Sequence, residues 1–120
     1  MASFEQGDVI RVPFPYTDRT TRQHRPALVV SRGGIGEHDG LLWVVMITSA
    51  ENRSWADDID LGRFYAEAGL PAPSVIRPCK IATIEARQAS RLGQIKPALM
   101  AEVAGTLRRL LGLGSAALER

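Results

Sequence analysis

The sequence predicts a mainly β (α+β) domain, a small antiparallel barrel finished by one C-terminal helix, and two features of the chain carry that expectation. Five or more short apolar runs, several of them β-branched, occupy the first three quarters of its 120 residues. From Pro97 onward the apolar period changes: Leu99, Val103, Leu107, Leu110 and Leu111 fall on one stripe of a helix. Strands first and a single helix last fit a helix laid over an open face or end of a sheet.

Taken in order, Val9 to Phe14 is a strand that stops against Pro13 and Pro15, residues unable to donate a ladder hydrogen bond. A polar connection from Thr17 to His24 follows, and at Arg25-Pro26 the chain enters a second strand, Ala27 to Ser31, whose unbroken apolar centre suits burial on both faces. Gly33 to Gly40 reads as a flexible loop, one that could serve as a flap over substrate; its glycine spacing is not that of a dinucleotide fingerprint. Leu41 to Thr48 is apolar throughout and therefore central, and it leaves the core at two hydroxyls, Thr48 and Ser49. Trp55 to Leu61 is expected as a more solvated strand bearing Asp57, Asp58 and Asp60, then Gly62 to Ala68 as a helical turn or two. Ser74 to Arg77 and Lys80 to Glu85 are expected as two strands broken at Pro78, and Leu92 to Ile95 as a last short one. The final helix starts at Pro97, has Arg108 and Arg109 at the negative end of its dipole and stops at Gly112.

A chain of this length is one domain, residues 1–120, able to bury about two thirds of its unfolded surface. Hydrophobic residues at 45% and charged ones at 23% are ordinary globular usage and argue against disorder. The longest apolar run, Leu41 to Ile47, is far below the ~20 residues of a membrane helix. The N-terminus has no signal-peptide pattern, so the expected compartment is the cytoplasm, with no membrane partner. Cys79 is the single cysteine, which leaves no disulfide within the chain; it reads as a small half-buried residue.

Net charge is only +2, yet it is unevenly spread. Arg11 to Arg32 holds five arginines against Asp18, and Arg77 to Lys96 holds five basic residues against Glu85, whereas Glu51 to Asp60 holds four acids against Arg53. If the two basic segments met in space they would form an anion-binding surface on a nearly neutral protein; the alternative is charge scattered to solvate the surface. No cofactor and no metal is expected: His24 and His38 lie in separate loops, and of the three acids near Ile59 only Asp58 and Asp60 share a strand face. No nucleophile elbow or phosphate-binding glycine loop is present. Chemistry must run on guanidinium, hydroxyl, imidazole and backbone.

Three ordered blocks carry a family likeness. Gly7-Asp8-Val9 and Val12-Pro13-Phe14 precede His24-Arg25-Pro26-Ala27-Leu28-Val29-Val30-Ser31. Met46-Ile47-Thr48-Ser49 follows, and then Ser74-Val75-Ile76-Arg77-Pro78, leading through Lys80-Ile81 to Leu92-Gly93-Gln94-Ile95. From about Gln6 to Leu111 the chain resembles the MazF/PemK family, ribonuclease toxins of bacterial toxin-antitoxin pairs. The resemblance implies an SH3-like antiparallel barrel with a C-terminal helix, MazF/PemK/CcdB-like, forming a homodimer. It implies a metal-independent endoribonuclease that cuts single-stranded RNA and is held off by a cognate antitoxin with an acidic, disordered tail. It also makes Arg25 and Thr48 the catalytic pair.

The residues fit that chemistry on their own terms. RNA supplies its own 2′-OH as nucleophile, so a protein need provide in-line geometry, charge neutralisation and proton transfers. The Arg25 guanidinium can hold two phosphate oxygens at once but, with a pKa above ~12, is a poor base. Thr48 can donate its hydroxyl to the same phosphate. His24 has the intrinsic pKa of a general base, against the reading of a solvated loop histidine. Arg19, Arg22 and His24 are RNA-binding candidates on one side with Ser49, and Arg77 and Lys80 on the opposite groove wall; Tyr16 or Trp55 could stack a base or pack in the core. Family members often carry an acid in the loop before the arginine, where this chain has Thr20-Thr21-Arg22-Gln23. Two other readings stand beside the nuclease: a toxin on the same fold that poisons DNA gyrase through its C-terminal helix, and an inactive nucleic-acid-binding barrel.

Overall fold

A computed structural model describes residues 3–14 and 23–113. Six strands, β1 (Asp8–Phe14), β2 (Gln23–Val29), β3 (Leu41–Ser49), β4 (Ile59–Asp60), β5 (Ser74–Glu85) and β6 (Ser90–Gln94), make one antiparallel sheet in the order β4-β5-β3-β2-β1-β6, and α1 spans Pro97–Leu110. The sheet curls into a half-barrel with the helix on it, the predicted architecture. Burial on both faces follows from the pleat, which sends successive side chains to opposite sides. Val9, Leu28, Val45 and Ile47 pack with Met100 and Val103 of α1. Their sequence neighbours Ile10, Val12, Ala27, Val29, Val44 and Met46 form a second core on the opposite face with Phe4 and Ile84.

The ends of the curl are held by side chains and by close backbone. Asp8, fully buried, accepts the Glu5 N–H, both Arg91 nitrogens and the Gln94 amide, tying the N-terminus and β1 to β6. On the far side, the backbone at Ala68-Gly69 runs against that of Leu92-Gly93 so closely that a Cβ on Gly69 or Gly93 would collide with the facing carbonyl. Gly69 also has a φ of +85°, so glycine is required there twice over. This approach brings the segment after β4 to β6, across the mouth of an otherwise open sheet.

Several expectations change in detail. The strand expected over Trp55 to Leu61 contracts to Ile59–Asp60, because the Trp55 N–H donates to Asp58 Oδ2 and the chain turns through Asp57 at a φ of +71°. The two strands expected at Ser74 to Arg77 and Lys80 to Glu85 are one bulged strand: Met46 faces Arg77 and Val45 faces Ile81, leaving Pro78 to Lys80 without partners on β3. Cys79, in that bulge, is exposed, not half-buried. On α1 the stripe is centred on Met100 and Val103, with Leu99 and Leu107 half-buried, while Leu110 and Leu111 are exposed. The Gly33 to Gly40 connection enters β3 at Leu41, about 23 Å along the strand from Thr48, so it cannot act as a flap there.

The centre of the sheet contains a fork. Val30 donates to the Trp43 carbonyl at 2.9 Å while the Val29 carbonyl accepts from Gly7. Donors facing β3 recur every second residue, so the next are Leu28 and position 26. Position 26 is proline and has no N–H to give. The β2–β3 ladder accordingly stops at Ala27 against Met46. β2 nevertheless continues to Gln23 along β1, and β3 to Ser49 along β5.

The only ion pair among the described residues with both side chains nearly buried joins Arg77 to Asp58, exposed by 7% and 10%. Arg77 Nε and Nη2 reach the two carboxylate oxygens at 3.1 and 2.9 Å, Nη2 also donates to the Arg53 carbonyl, and the guanidinium lies 4.4 Å over the Trp55 ring. Burial disfavours the charged forms of Asp58 and Asp8, but the hydrogen bonds and arginines around each outweigh it and hold both below the usual carboxylate range.

Three outcomes follow. Asp58→Ala leaves a buried guanidinium uncompensated and should lower unfolding stability by about 3–5 kcal/mol in urea titrations at pH 7. Because the folded pKa values of Asp8 and Asp58 are depressed, their contribution is complete above the ordinary carboxylate pKa of about 4 and is lost as pH falls through the lowered values; the urea midpoint should drop as pH falls below about 4, and less in Asp8→Asn. Pro26→Ala restores a donor facing Ile47, so the new backbone N–H at position 26 should be protected in hydrogen exchange. Stability should shift by no more than about 1 kcal/mol, since a net hydrogen bond offsets the lost proline rigidity. Free exchange at that amide would refute the account of the fork.

Candidate functional site

Continuing the β2–β3 register two residues beyond its last pair sets Arg25 across from Thr48, on the same side of the pleat. Because the ladder has ended there, the space between them is a cleft of about 370 Å³, lined by both residues. A gap between strands exposes residues of both faces, and so Arg11 and Pro26 line it as well as Arg25 and Thr48. Ile47 and Leu70, both core residues, also line it; Pro71, Ala72 and Pro73 form an apolar wall, and Leu92 of β6 lines it from the opposite strand edge. Thr48 is only 5% exposed, whereas Arg25 is half-buried. A cation and an alcohol on neighbouring strands, in a hydrophobic recess open to solvent, can bind an anion of phosphate size and withhold water from it.

The turn after β3 completes one rim. Ser49 Oγ accepts the Glu51 N–H, the Asn52 N–H donates to the Ser49 carbonyl, and the Ala50 N–H donates to the Pro73 carbonyl. The turn returns Asn52 beneath the strand end, where its Nδ2 donates to Thr48 Oγ1 at 2.6 Å. Ser49 lines the cleft, and its hydroxyl oxygen accepts from the turn while its proton is left to give.

The other predicted contacts separate. Arg19, Arg22 and Tyr16 lie outside the described residues. His24 is exposed and is not part of the cleft wall; alternation along β2 turns it from the face that Arg25 takes. Arg77 is 6% exposed and spent on Asp58 and the Arg53 carbonyl, and Lys80 lies 5.9 Å from the Trp55 ring, so neither belongs to the cleft. The second basic segment forms no opposing anion-binding wall. Its cations pair with acids: Arg77 with Asp58, Arg87 with Glu85, Arg91 with Asp8 and Lys96 with Glu67. Trp55 packs under Arg77 and is no stacking platform for a base in the cleft.

Two polar residues of the site were missed from sequence, one in the cleft wall and one behind it. Arg11 sits on β1 opposite Pro26, and its place next to Val12 in an alternating strand was the available signal. Asn52 gave none, because only the turn brings it back to Thr48. Among the described residues no group of three or more His, Cys, Asp or Glu side chains could hold a metal, and no helix is long and apolar enough to cross a membrane.

Comparison with known proteins places these observations. The family model for PemK-like, MazF-like toxins of type II toxin-antitoxin systems matches residues 5–111. Comparison with curated proteins returns no match. Among solved structures, a MazE–MazF complex from Deinococcus radiodurans superposes with a TM-score of 0.72 at 23% identity, covering 95% of this chain and all of the other. MazF from the same organism gives 0.74 at 24% identity, over 93% and 99% of the two chains. An endoribonuclease in complex with its cognate antitoxin from a mycobacterial species gives 0.70 at 22% identity, over 95% and 98%. At these identities the structures show a shared fold, and the family match adds the lineage: this chain belongs to the PemK-like, MazF-like toxins of type II toxin-antitoxin systems.

Proposed function

We propose that the protein is a metal-independent endoribonuclease toxin that cuts single-stranded RNA in the cytoplasm, using the cleft between β2 and β3. The observation that carries the reading is that Arg25 and Thr48 line one recess at the end of a forked pair of strands. The scissile phosphate sits between them. The RNA 2′-oxygen gives up its proton to water in the solvent-open cleft and forms a bond to phosphorus, the bond to the 5′-oxygen breaks, and that oxygen takes a proton. The products are a 2′,3′-cyclic phosphate and a 5′-hydroxyl end. Arg25 neutralises the negative charge that grows on the non-bridging oxygens, and it can pass a proton toward the leaving oxygen. The Thr48 hydroxyl donates to a non-bridging oxygen. Cationic walls from Arg11 and Arg25 favour an anion over a divalent metal, which fits the absence of a metal from the mechanism. His24, turned from the cleft, has no geometric support as general base.

The family and the solved complexes support a cognate antitoxin as partner, and an acidic, disordered tail suits a cleft bearing two arginines. The proposed assembly is a homodimer. Trp43 and Ile81, half-exposed on one face of the adjoining strands β3 and β5, offer an apolar contact for it. The gyrase reading retains one observation, the exposed Leu110 and Leu111 at the end of α1.

Purified protein incubated with a long mixed-sequence RNA in EDTA should produce discrete cuts ending in 2′,3′-cyclic phosphate. Arg25→Ala should lower the rate by about 10³-fold and Thr48→Ala by about 10²-fold, with circular dichroism and melting unchanged. Intact RNA, with DNA breaks in arrested cells that Leu110 or Leu111 substitutions relieve, would instead establish the gyrase reading.

A further inference from the structure

A hydroxyl can accept and donate at once, and which it does toward a substrate depends on what already occupies it. Thr48 Oγ1, at 5% exposure, receives the Asn52 Nδ2–H at 2.6 Å. With an oxygen lone pair committed to that donor, the Thr48 proton is left to be given elsewhere, and the space open to this side chain is the cleft. A lone threonine there could rotate to donate to a backbone carbonyl and meet a phosphate with its lone pairs, which would repel it. We propose that Asn52 is a positioning residue that holds Thr48 as a hydrogen-bond donor toward the phosphate. The inference rests on the nuclease reading above and adds to it a group outside the cleft lining.

The placement of Asn52 is independent of its own side chain. The Asn52 N–H is held by the Ser49 carbonyl, the Glu51 N–H by Ser49 Oγ, and Ala50 by the Pro73 carbonyl. Removing the amide therefore leaves the turn formed and the Thr48 backbone in place. Thr48 loses only the partner that orients its hydroxyl. Asparagine differs from aspartate here in sign: a carboxylate at position 52 accepts, so it would draw the Thr48 proton away from the cleft.

The test uses the full chain and an RNA oligonucleotide containing one mapped cleavage site, with kcat read at saturating substrate. Asn52→Ala should lower kcat about tenfold while KM and the melting temperature stay close to wild type. Asn52→Asp should lower kcat further, with added charge repulsion from RNA appearing in KM. On a Thr48→Ala background, Asn52→Ala should change kcat by less than twofold, because its target hydroxyl is gone. Wild-type kcat in Asn52→Ala, unimpaired kcat in Asn52→Asp, or an equal loss with and without the Thr48 hydroxyl would each overturn the proposal. If wild type cuts and Thr48→Ala is impaired, such a result fails Asn52 alone; if wild type cuts no RNA, the nuclease reading falls and this one with it.

Discussion

A hydrogen bond that proline cannot make shapes the centre of this protein. An antiparallel sheet closes every gap between neighbours that its donors can reach, and a cleft between two inner strands therefore needs a reason to stay open. Pro26 supplies it by removing the donor that would face Ile47. An edge location would have left one wall poorly supported. Here each side of the fork keeps its outer neighbour, β2 on β1 and β3 on β5, so both walls remain parts of a rigid sheet. The side chains that flank the gap inherit their positions from strand register and not from loop conformation, the condition for holding two groups within a fraction of an ångström of a productive geometry.

Charge is sorted as sharply as the backbone. A nearly neutral chain could have spread its arginines evenly, but two of those in the second basic segment are paired with acids brought from distant segments: Asp58 for Arg77, Asp8 for Arg91. These pairs tie the 53–58 turn to β5 and the N-terminus to β6, so their cations serve the scaffold. Arg11 and Arg25 come from the first basic segment and line the cleft. Two cations thus border one recess, where apolar walls of Leu70, Pro71, Pro73 and Leu92 reduce the screening that water would provide.

Much of this was legible in the sequence, for identifiable reasons. β-branched runs and the shift to a helical stripe after Pro97 depend on local pattern, and they placed β1, β3 and α1 within a residue or two; β2 runs Gln23–Val29, four residues ahead of the expected start at Ala27, because its polar first half is fixed by pairing with β1 and not by an apolar run. The Arg25/Thr48 juxtaposition depends on register, which the family likeness supplied. What failed depended on long-range pairing. Nothing local distinguishes the Arg77 that binds Asp58 from one that faces a substrate, and the acidic turn read as a strand because its alternating carboxylates looked solvated when one was buried against a guanidinium. Likewise the break at Pro78 marked a bulge and not an end, since three unpaired residues are tolerated when β3 continues past them on both sides.

The same physics explains why a buried alcohol is useful in such a recess. A threonine hydroxyl in water exchanges partners freely and gains little from facing a phosphate, because water is an equal competitor. At the end of β3 Thr48 is almost removed from solvent, on the face of the pleat that carries Met46 and Val44, and its remaining hydrogen-bonding capacity has few places to go. A donor left unsatisfied in such a position carries a desolvation penalty of about 1–3 kcal/mol that an incoming hydrogen-bond acceptor relieves. On the nuclease reading that acceptor is a phosphate oxygen, and Thr48 meets it already stripped of most of its water.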